Sequence, residues 1–195
     1  QGNEFTFYGS KTWDIKLENA LKGQMKNPIF PVNFDIVNSV GARVQYIDID
    51  EGKIIKIGDK DPVTIQSIEL YHTDKVFGFK IEYKGRSLVY ATDIENLPEP
   101  NKKLIELAHS SDLIIHDAQY TSEEYYGSNG SSKRNWGHST PEVAALVALK
   151  ANTKRLVLFH HDPYHDDRII EQIQQKASAI FPNTIAASES MVIEL

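Results

Sequence analysis

The stretch Ser87-Leu88-Val89-Tyr90-Ala91-Thr92-Asp93 decides the fold prediction, because a short strand that is apolar on both faces ends in a carboxylate. The pattern recurs twice: Asp117 follows the strand-like residues 113–116, and His160 follows 156–159. Alone, each polar residue is most simply a helix-capping aspartate or a surface histidine. Together they indicate a site, because ligands in sheet-based α/β folds bind beyond the carboxyl ends of strands.

Upstream of this stretch, short apolar segments separated by turn residues predict a run of mostly antiparallel strands. We predict strands over 5–8, 43–49, 53–57, 63–70 and 77–83. A tight hairpin turn at Lys84-Gly85 leads from the last of these into the stretch 87–92. An apolar residue at every fourth position, namely Trp13, Leu17, Leu21 and Met25, predicts one amphipathic helix.

Downstream, helices alternate with strands. Helices are predicted around 104–108, over 141–150 after a Ser139-Thr140 cap, and from Asp166 or Asp167 onward. Strands are predicted over 112–116, 155–159 and 190–194. Antiparallel strands followed by alternating helices and strands predict an α/β (layered α+β) sandwich, with residues 1–195 forming a single domain.

The composition limits the chemistry of the predicted site. The chain has no cysteine, which excludes disulfide scaffolds, zinc ribbons and thiol catalysis, so any metal ligand must be His, Asp or Glu. The net charge of -6 argues against a strongly basic nucleic-acid-binding surface. We find no membrane span and no signal or transit peptide, so a cytoplasmic location is the default expectation.

His72 and Asp93 form the first candidate pair. His72 follows the strand 63–70, and the hairpin closed by Lys84-Gly85 folds it back towards Asp93. A lone histidine at a strand end is usually a surface or packing residue. With His160, however, the pair makes a ligand set suited to Zn²⁺, Mn²⁺ or Fe.

His138 lies just before a predicted helix N-terminus, a position that favours anions. An imidazole there can contact a phosphate or act as a general acid, with Asp117 as the carboxylate that orients it. It can equally be a capping residue without chemistry, and spacing alone leaves both interpretations open.

Six short segments, in a fixed order, resemble the metallo-β-lactamase fold hydrolases, within them the ribonuclease Z and phosphodiesterase branch. They are Leu70-Tyr71-His72, Phe77-Gly78-Phe79-Lys80-Ile81, Tyr90-Ala91-Thr92-Asp93, Ile115-His116-Asp117-Ala118, Gly137-His138-Ser139-Thr140 and Arg155-Leu156-Val157-Leu158-Phe159-His160. The resemblance implies an αββα sandwich with two divalent metal ions, zinc being expected and manganese or iron the alternatives. It implies that His72 ligates one metal, that His160 ligates the other and that Asp93 bridges them. It also implies that Asp117 and His138 contact the phosphate and protonate the leaving oxygen.

Three features depart from the family pattern. The His-x-His-x-Asp-His signature is absent, so we expect the chain to be an N-terminally incomplete, C-terminal portion of such a domain. Ribonuclease Z has glutamate at the position of Asp117, and its long transfer-RNA-binding arm is not evident here. We therefore expect a small phosphodiester or another small-molecule ester as substrate, and we do not expect nucleic acid.

These features leave two main hypotheses. The first is a metal-dependent hydrolase that works by attack of a metal-bound hydroxide. The second is a catalytically inactive truncated module that acts in binding or oligomerisation, with a second copy of the chain (a homodimer) or a complementing N-terminal segment as its partner. A ligand-binding α/β protein unrelated to this family is a third, weaker alternative.

Overall fold

The computed structural model describes residues 2–11, 15–36, 41, 43–96, 99–128 and 130–195, which fall into two compact units, Gln1–Asp50 and Glu51–Leu195. The smaller unit contains β1 (Glu4–Gly9), α1 (Leu17–Gln24) and β2 (Arg43–Asp48). β1 and β2 pair in parallel, an exception to the mostly antiparallel prediction. Trp13, which begins the predicted helix, lies outside the described residues.

The larger unit is built on a seven-stranded sheet in which every strand pairs with its neighbour in sequence. Its strands are β3 (Ile54–Ile57), β4 (Val63–Tyr71), β5 (Lys75–Tyr83), β6 (Arg86–Ala91), β7 (Leu113–Asp117), β8 (Leu156–Phe159) and β9 (Thr184–Ala186). The pairings from β3 to β6 are antiparallel, and those from β6 to β9 are parallel. The apolar stretch 87–92 is therefore the strand at which the sheet changes direction, and Val89 and Ala91 within it are fully buried.

The described part of this unit also contains four helices, and three of them begin at a side-chain cap. They are α2 (Lys102–Ala108), α3 (Ser122–Tyr126), α4 (Pro141–Lys150) and α5 (Asp167–Ser178). Asn101, Thr121 and Asp166 accept the capping hydrogen bonds of α2, α3 and α5. The predicted start of α4 is confirmed, with Thr140 as the N-cap and Pro141 in the first turn, but Thr140 makes no side-chain capping bond. The Ser139 hydroxyl instead donates to the Ile94 carbonyl and accepts from the Asn96 N–H.

The core lies between the parallel half of the sheet and the helices. α4 contacts β7 and β8 as well as α2 and α5. Its alanines Ala144, Ala145 and Ala148 are fully buried, and their small side chains let the helix lie close to Ile114 and the other buried strand residues. This arrangement confirms the predicted α/β class. No helix in the described ranges is long and apolar enough to cross a membrane.

Two details of the secondary-structure prediction are wrong. The last strand is Thr184–Ala186, which pairs in parallel with β8, and residues 190–194 form no strand. The alternating pattern of 190–194 misleads because Val192 is 86% exposed, so no sheet buries one face of this segment. The prediction also lacked α3, whose five residues are too few for a helical period, although its Thr121–Glu124 capping box is legible in the sequence.

His116 of β7 gives a prediction for pH dependence. The ring is fully buried, with its Nδ1 2.7 Å from the Asp117 carbonyl oxygen and its Nε2 3.1 Å from the Asn96 amide nitrogen. A neutral ring satisfies both contacts by donating from Nδ1 and accepting at Nε2. Burial lowers the pKa of His116 below 6.5, because a buried cation loses its hydration.

The folded protein therefore binds fewer protons than the unfolded chain below about pH 6.5, and we expect the free energy of unfolding to fall as the pH drops through that value. Above about pH 6.5, the contribution of the neutral His116 ring to the free energy of unfolding is fully present. An NMR titration should find that the His116 ring takes up its proton at a lower pH than an unperturbed histidine does. Protonation of His116 near pH 6.5 in the folded protein would contradict this.

Candidate metal and catalytic site

The candidate residues converge because four strands end at the same edge of the sheet. β4 is antiparallel to β5, and β5 to β6, so β4 runs in the same direction as β6, β7 and β8. His72 directly follows β4, and Asp93 lies two residues beyond β6. Asp117 ends β7, and His160 directly follows β8. Sheet topology thus brings residues far apart in sequence to one place.

Asp93 is within reach of three imidazoles. Its Oδ1 lies 3.0 Å from His72 Nε2, 3.7 Å from His138 Nδ1 and 3.9 Å from His160 Nε2. Its side chain is 54% exposed, so its free oxygen positions remain open to solvent or a ligand. A half-exposed carboxylate among three histidines is a donor set with spare coordinating capacity.

Asp117 is fully buried and holds the centre of the site together. Its Oδ1 accepts hydrogen bonds from the backbone N–H groups of Ser139 (2.9 Å) and Gln119 (3.1 Å). Its Oδ2 accepts from the Ile94 N–H (3.3 Å) and lies 3.0 Å from His138 Nδ1. Because an ionised carboxylate only accepts, His138 must donate from Nδ1, which leaves its Nε2 for another partner.

His160 is oriented by an amide that the sequence analysis did not identify. Its Nδ1 lies 2.9 Å from Gln119 Oε1, and the Gln119 amide nitrogen donates to the Tyr120 hydroxyl at 3.3 Å. The carbonyl of Gln119 therefore fixes the proton on Nδ1 and leaves Nε2 with its lone pair. Metal-binding histidines are commonly held in this way by a hydrogen bond to the second ring nitrogen.

Two of the candidate ligands have strained backbones. Asp93 has φ 58° and His160 has φ 63°, both in the left-handed region that most side chains avoid. Aspartate and histidine are among the types that tolerate it best. Such strain persists only where the surrounding structure imposes it, and it concentrates at functional sites.

Gly137 touches the ring of His72. The glycine has φ 92°, and a Cβ atom built on it would clash with Cδ2 of the His72 ring. The His72 ring also lies edge-on to His138, with centroids 5.1 Å apart, and the His138 ring stacks on His160 at 4.9 Å. The absence of a side chain at Gly137 is therefore what lets the three imidazoles pack together.

We expect Gly137→Ala to damage the site more than the fold. The methyl group needs both a strained φ and the displacement of His72, which should cost about 1–3 kcal/mol of stability. The apparent affinity for zinc should fall by about 10–100-fold as His72 moves. Thermal unfolding and zinc competition measure the two effects, with Gly85→Ala, at a positive φ but open site, as the control. Equal zinc affinity in the Gly137→Ala and Gly85→Ala proteins would contradict the assigned contact.

The donor set suits a divalent cation. Asp93, Asp117, His138 and His160 each offer one atom, and these atoms lie within 4.8 Å of one another. Among the described residues this is the single cluster of its kind. Imidazole nitrogens and carboxylate oxygens are ligands for zinc, manganese and iron. The residues present therefore fit such an ion.

The structure brings all five predicted site residues to one sheet edge: His72, Asp93, Asp117, His138 and His160. Their division into metal ligands and catalytic pair stays a prediction, because the geometric cluster includes Asp117 and His138. Sequence reasoning missed Glu95, Gln119 and Gly137. Their only signal was position, since each lies one or two residues from a predicted site residue.

Comparisons of the sequence and of the structure with known proteins point to the same family. A model described as "Beta-lactamase superfamily domain" matches residues 15–161. Ribonuclease Z of Archaeoglobus fulgidus is 33% identical over 126 residues, covering 63% of this chain and 36% of that protein. Ribonuclease Z of Sulfurisphaera tokodaii is 34% identical over 148 residues, covering 72% and 45%. The metallo-β-lactamase fold protein YhfI from Bacillus subtilis superposes with a TM-score of 0.67 at 14% identity, covering 95% of this chain and 63% of that one.

The chain spans between about a third and a half of the length of these two curated relatives. Both relatives are ribonucleases by name, which conflicts with the interpretation that nucleic acid is not a substrate. That interpretation rested on net charge, which averages over the whole chain, whereas phosphate contacts depend on a local group of cations. The expectation that nucleic acid is not a substrate is therefore not supported.

Proposed function

Because the chain belongs to the β-lactamase superfamily, we propose that it forms part of a metal-dependent hydrolase that cleaves phosphodiesters. The observation that carries this proposal is the position of Asp93, whose Oδ1 lies 3.0–3.9 Å from nitrogens of three histidines at the carboxyl ends of the strands. A carboxylate and histidines at a sheet edge suit a metal site better than they suit a structural ion pair.

In this proposal His72, Asp93 and His160 hold the metal. Two divalent ions, zinc in the first instance with manganese or iron as alternatives, would take these ligands together with others outside the 195 residues. When bound, the ions supply positive charge that stabilises the transition state at the phosphorus. Gln119 keeps His160 Nε2 unprotonated, and the Gly137 contact keeps the His72 ring in place.

Asp117 and His138 supply the proton that the leaving oxygen needs. The carboxylate of Asp117, anchored by three backbone N–H groups, holds the proton of His138 on Nδ1 and stabilises the imidazolium. This leaves Nε2 of His138 to contact the phosphate and to protonate the leaving oxygen. The same division of labour between a buried aspartate and a histidine serves other hydrolases.

The substrate class is a phosphodiester, either a small-molecule ester or a linkage in RNA. Two cations precede His138 in the chain: Lys133 lies 3.9 Å from the Trp136 ring centroid, and Arg134 lies 4.8 Å from that of Tyr126. Lys133 also lies 5.7 Å from the centroid of the Tyr120 ring, which packs edge-on against His138, and positive charge near His138 favours an anionic substrate. The names of the two ribonuclease relatives keep RNA within this class.

We further propose that residues 1–195 correspond to the C-terminal portion of a metallo-β-lactamase-like domain. The absence of the His-x-His-x-Asp-His signature and the partial coverage of the relatives support this assignment. The cytoplasmic location stays a prediction.

The test is His160→Asn in the full-length protein. Asparagine tolerates the positive φ and keeps a polar atom near Gln119, but it removes Nε2. We expect hydrolysis of bis(p-nitrophenyl) phosphate to fall at least about a hundredfold, together with the bound metal. His109→Asn, an exposed position after α2, is the matched control. Equal activity and metal content in the His160→Asn and His109→Asn proteins would refute the proposed function.

The alternative function, a truncated module acting in binding or oligomerisation, has one observation in its favour. Phe5 and Phe7 of β1, which alternate along the strand, are 51% and 46% exposed, and Ile29 is 76% exposed. Exposed apolar groups of this kind mark interfaces when they are contiguous. Analytical ultracentrifugation distinguishes the cases, since a second copy as partner predicts a dimer that Phe5→Ser and Phe7→Ser together dissociate.

A further inference from the structure

We propose that Glu95 is a positioning residue, which holds the loop of residues 135–138 against the site and so fixes His72 and His138. This inference rests on the proposed function, in which His72 is a metal ligand and His138 protonates the leaving oxygen. Glu95 lies two residues beyond Asp93 and belongs to neither the predicted ligands nor the predicted catalytic pair.

The carboxylate of Glu95 binds two backbone N–H groups of this loop. Its Oε1 accepts from the Asn135 N–H at 2.8 Å, and its Oε2 accepts from the Gly137 N–H at 3.0 Å. Oε1 also accepts from the Tyr125 hydroxyl at 2.6 Å. Hydrogen bonds to an ionised acceptor are stronger than neutral ones, so this single side chain anchors the loop firmly.

The same residue is tied to the strand that precedes His72. The Glu95 N–H donates to the Tyr71 carbonyl at 2.8 Å, and Tyr71 is the last residue of β4. Glu95 therefore connects the backbone before His72 with the loop that presses on the His72 ring. Glu95 also lies two residues after Asp93, so it links Asp93, the backbone before His72 and the loop 135–138.

Residues 135–138 form neither helix nor strand, so the conformation of this loop depends on hydrogen bonds from other parts of the chain. Asn135 has φ 63° and Gly137 has φ 92°, so two of its residues lie in the left-handed region. Without the carboxylate, two amide groups lose their acceptor and the turn loses its constraint. The Gly137 contact with His72 and the approach of His138 to Asp117 both depend on this turn.

Glu95 is unsuited to the role of ligand. Both of its oxygens already accept hydrogen bonds, Oε1 from Tyr125 and Asn135 and Oε2 from Gly137. Its effect on the reaction must therefore act through the histidines. This predicts an effect on kcat and on the histidine rings, with little effect on substrate affinity.

The experiment is Glu95→Gln in the full-length protein. Glutamine has the same length but only one acceptor oxygen. Its NH₂ group, which is a donor, must therefore face one of the two backbone N–H groups. We expect kcat for bis(p-nitrophenyl) phosphate to fall about 10–100-fold, while KM changes by less than about threefold. In the metal-free protein, NMR should show shifted ring resonances for His72 and His138 and a shifted Gly137 amide.

Three further variants separate positioning from stability. Glu95→Asp, which keeps the charge, should recover part of kcat. Tyr125→Phe removes only the hydroxyl contact and should cost less than Glu95→Gln. Glu123→Gln, an exposed carboxylate that binds Lys176, is the control for charge and should leave kcat unchanged.

Unchanged kcat and unchanged ring resonances in Glu95→Gln would overturn the proposal. So would a lower melting temperature without any change at His72 and His138, since that marks a purely structural role. If the wild-type protein hydrolyses no phosphodiester, the proposed function fails, and the NMR comparison alone decides whether Glu95 positions the histidines.

Discussion

Replacing Asp93 by asparagine should lower kcat/KM of the full-length protein for phosphodiesters by at least about a thousandfold, equivalent to about 4 kcal/mol of barrier. The reason is that Asp93 Oδ1 is the atom that approaches nitrogens of His72, His138 and His160. An amide oxygen carries no charge to offset a divalent cation. Metal retained per molecule, measured by mass spectrometry, should fall in parallel.

Asparagine is the informative replacement because Asp93 has φ 58°, a conformation that asparagine adopts with little strain and alanine does not. A loss of activity therefore reports on charge and ligation, with backbone strain held constant. Asp61→Asn, an exposed carboxylate paired with Lys84, is the control. If the Asp93→Asn protein keeps both its metal and its rate, Asp93 is no ligand.

Asp117→Asn should lower kcat by about 10²–10⁴-fold while leaving metal content largely intact. The asparagine oxygen can still accept from the backbone N–H groups of Ser139 and Gln119. Its NH₂ group then faces His138 Nδ1, which must give up its proton to accept, and the Ile94 N–H loses its acceptor. Without the carboxylate, the imidazolium that protonates the leaving oxygen also loses its stabilising charge.

The ring nitrogens of His138 report this change directly. ¹⁵N shifts of the neutral ring should place the proton on Nδ1 in the wild type and on Nε2 in the Asp117→Asn variant. Asp112→Asn is a matched control, since this carboxylate is also nearly buried and its pKa is lowered to about 2 by hydrogen bonds from Lys154 and the Ser87 backbone. It should lose stability but retain kcat. A proton on Nδ1 in both proteins, with equal kcat, would contradict the assigned pair.

The central strand of the sheet could be predicted from the sequence, for physical reasons. The stretch 87–92 is apolar on both faces, and such a strand must have neighbours on each side. The strand does lie at the point where the sheet changes from antiparallel to parallel. The family resemblance drawn from the ordered segments is confirmed by the family model that matches residues 15–161.

Strand-end positions were also sufficient to name candidate residues, because topology alone carries the ends of β4, β6, β7 and β8 to one edge. The supporting contacts could not be found in this way. Glu95 and Gln119 act through hydrogen bonds to residues about 40 positions away in sequence, namely Gly137 and His160. No local sequence pattern encodes these contacts. The segment 190–194 misled for the opposite reason: its local alternation is clear, but no neighbouring strand pairs with it.

The most direct test of the central claim is anomalous diffraction from crystals of the full-length protein loaded with zinc. We predict anomalous peaks at about 2.0–2.2 Å from His160 Nε2, from an oxygen of Asp93 and from a nitrogen of His72. Zinc bound elsewhere, with these three side chains holding no metal in a protein that hydrolyses phosphodiesters, would contradict the account.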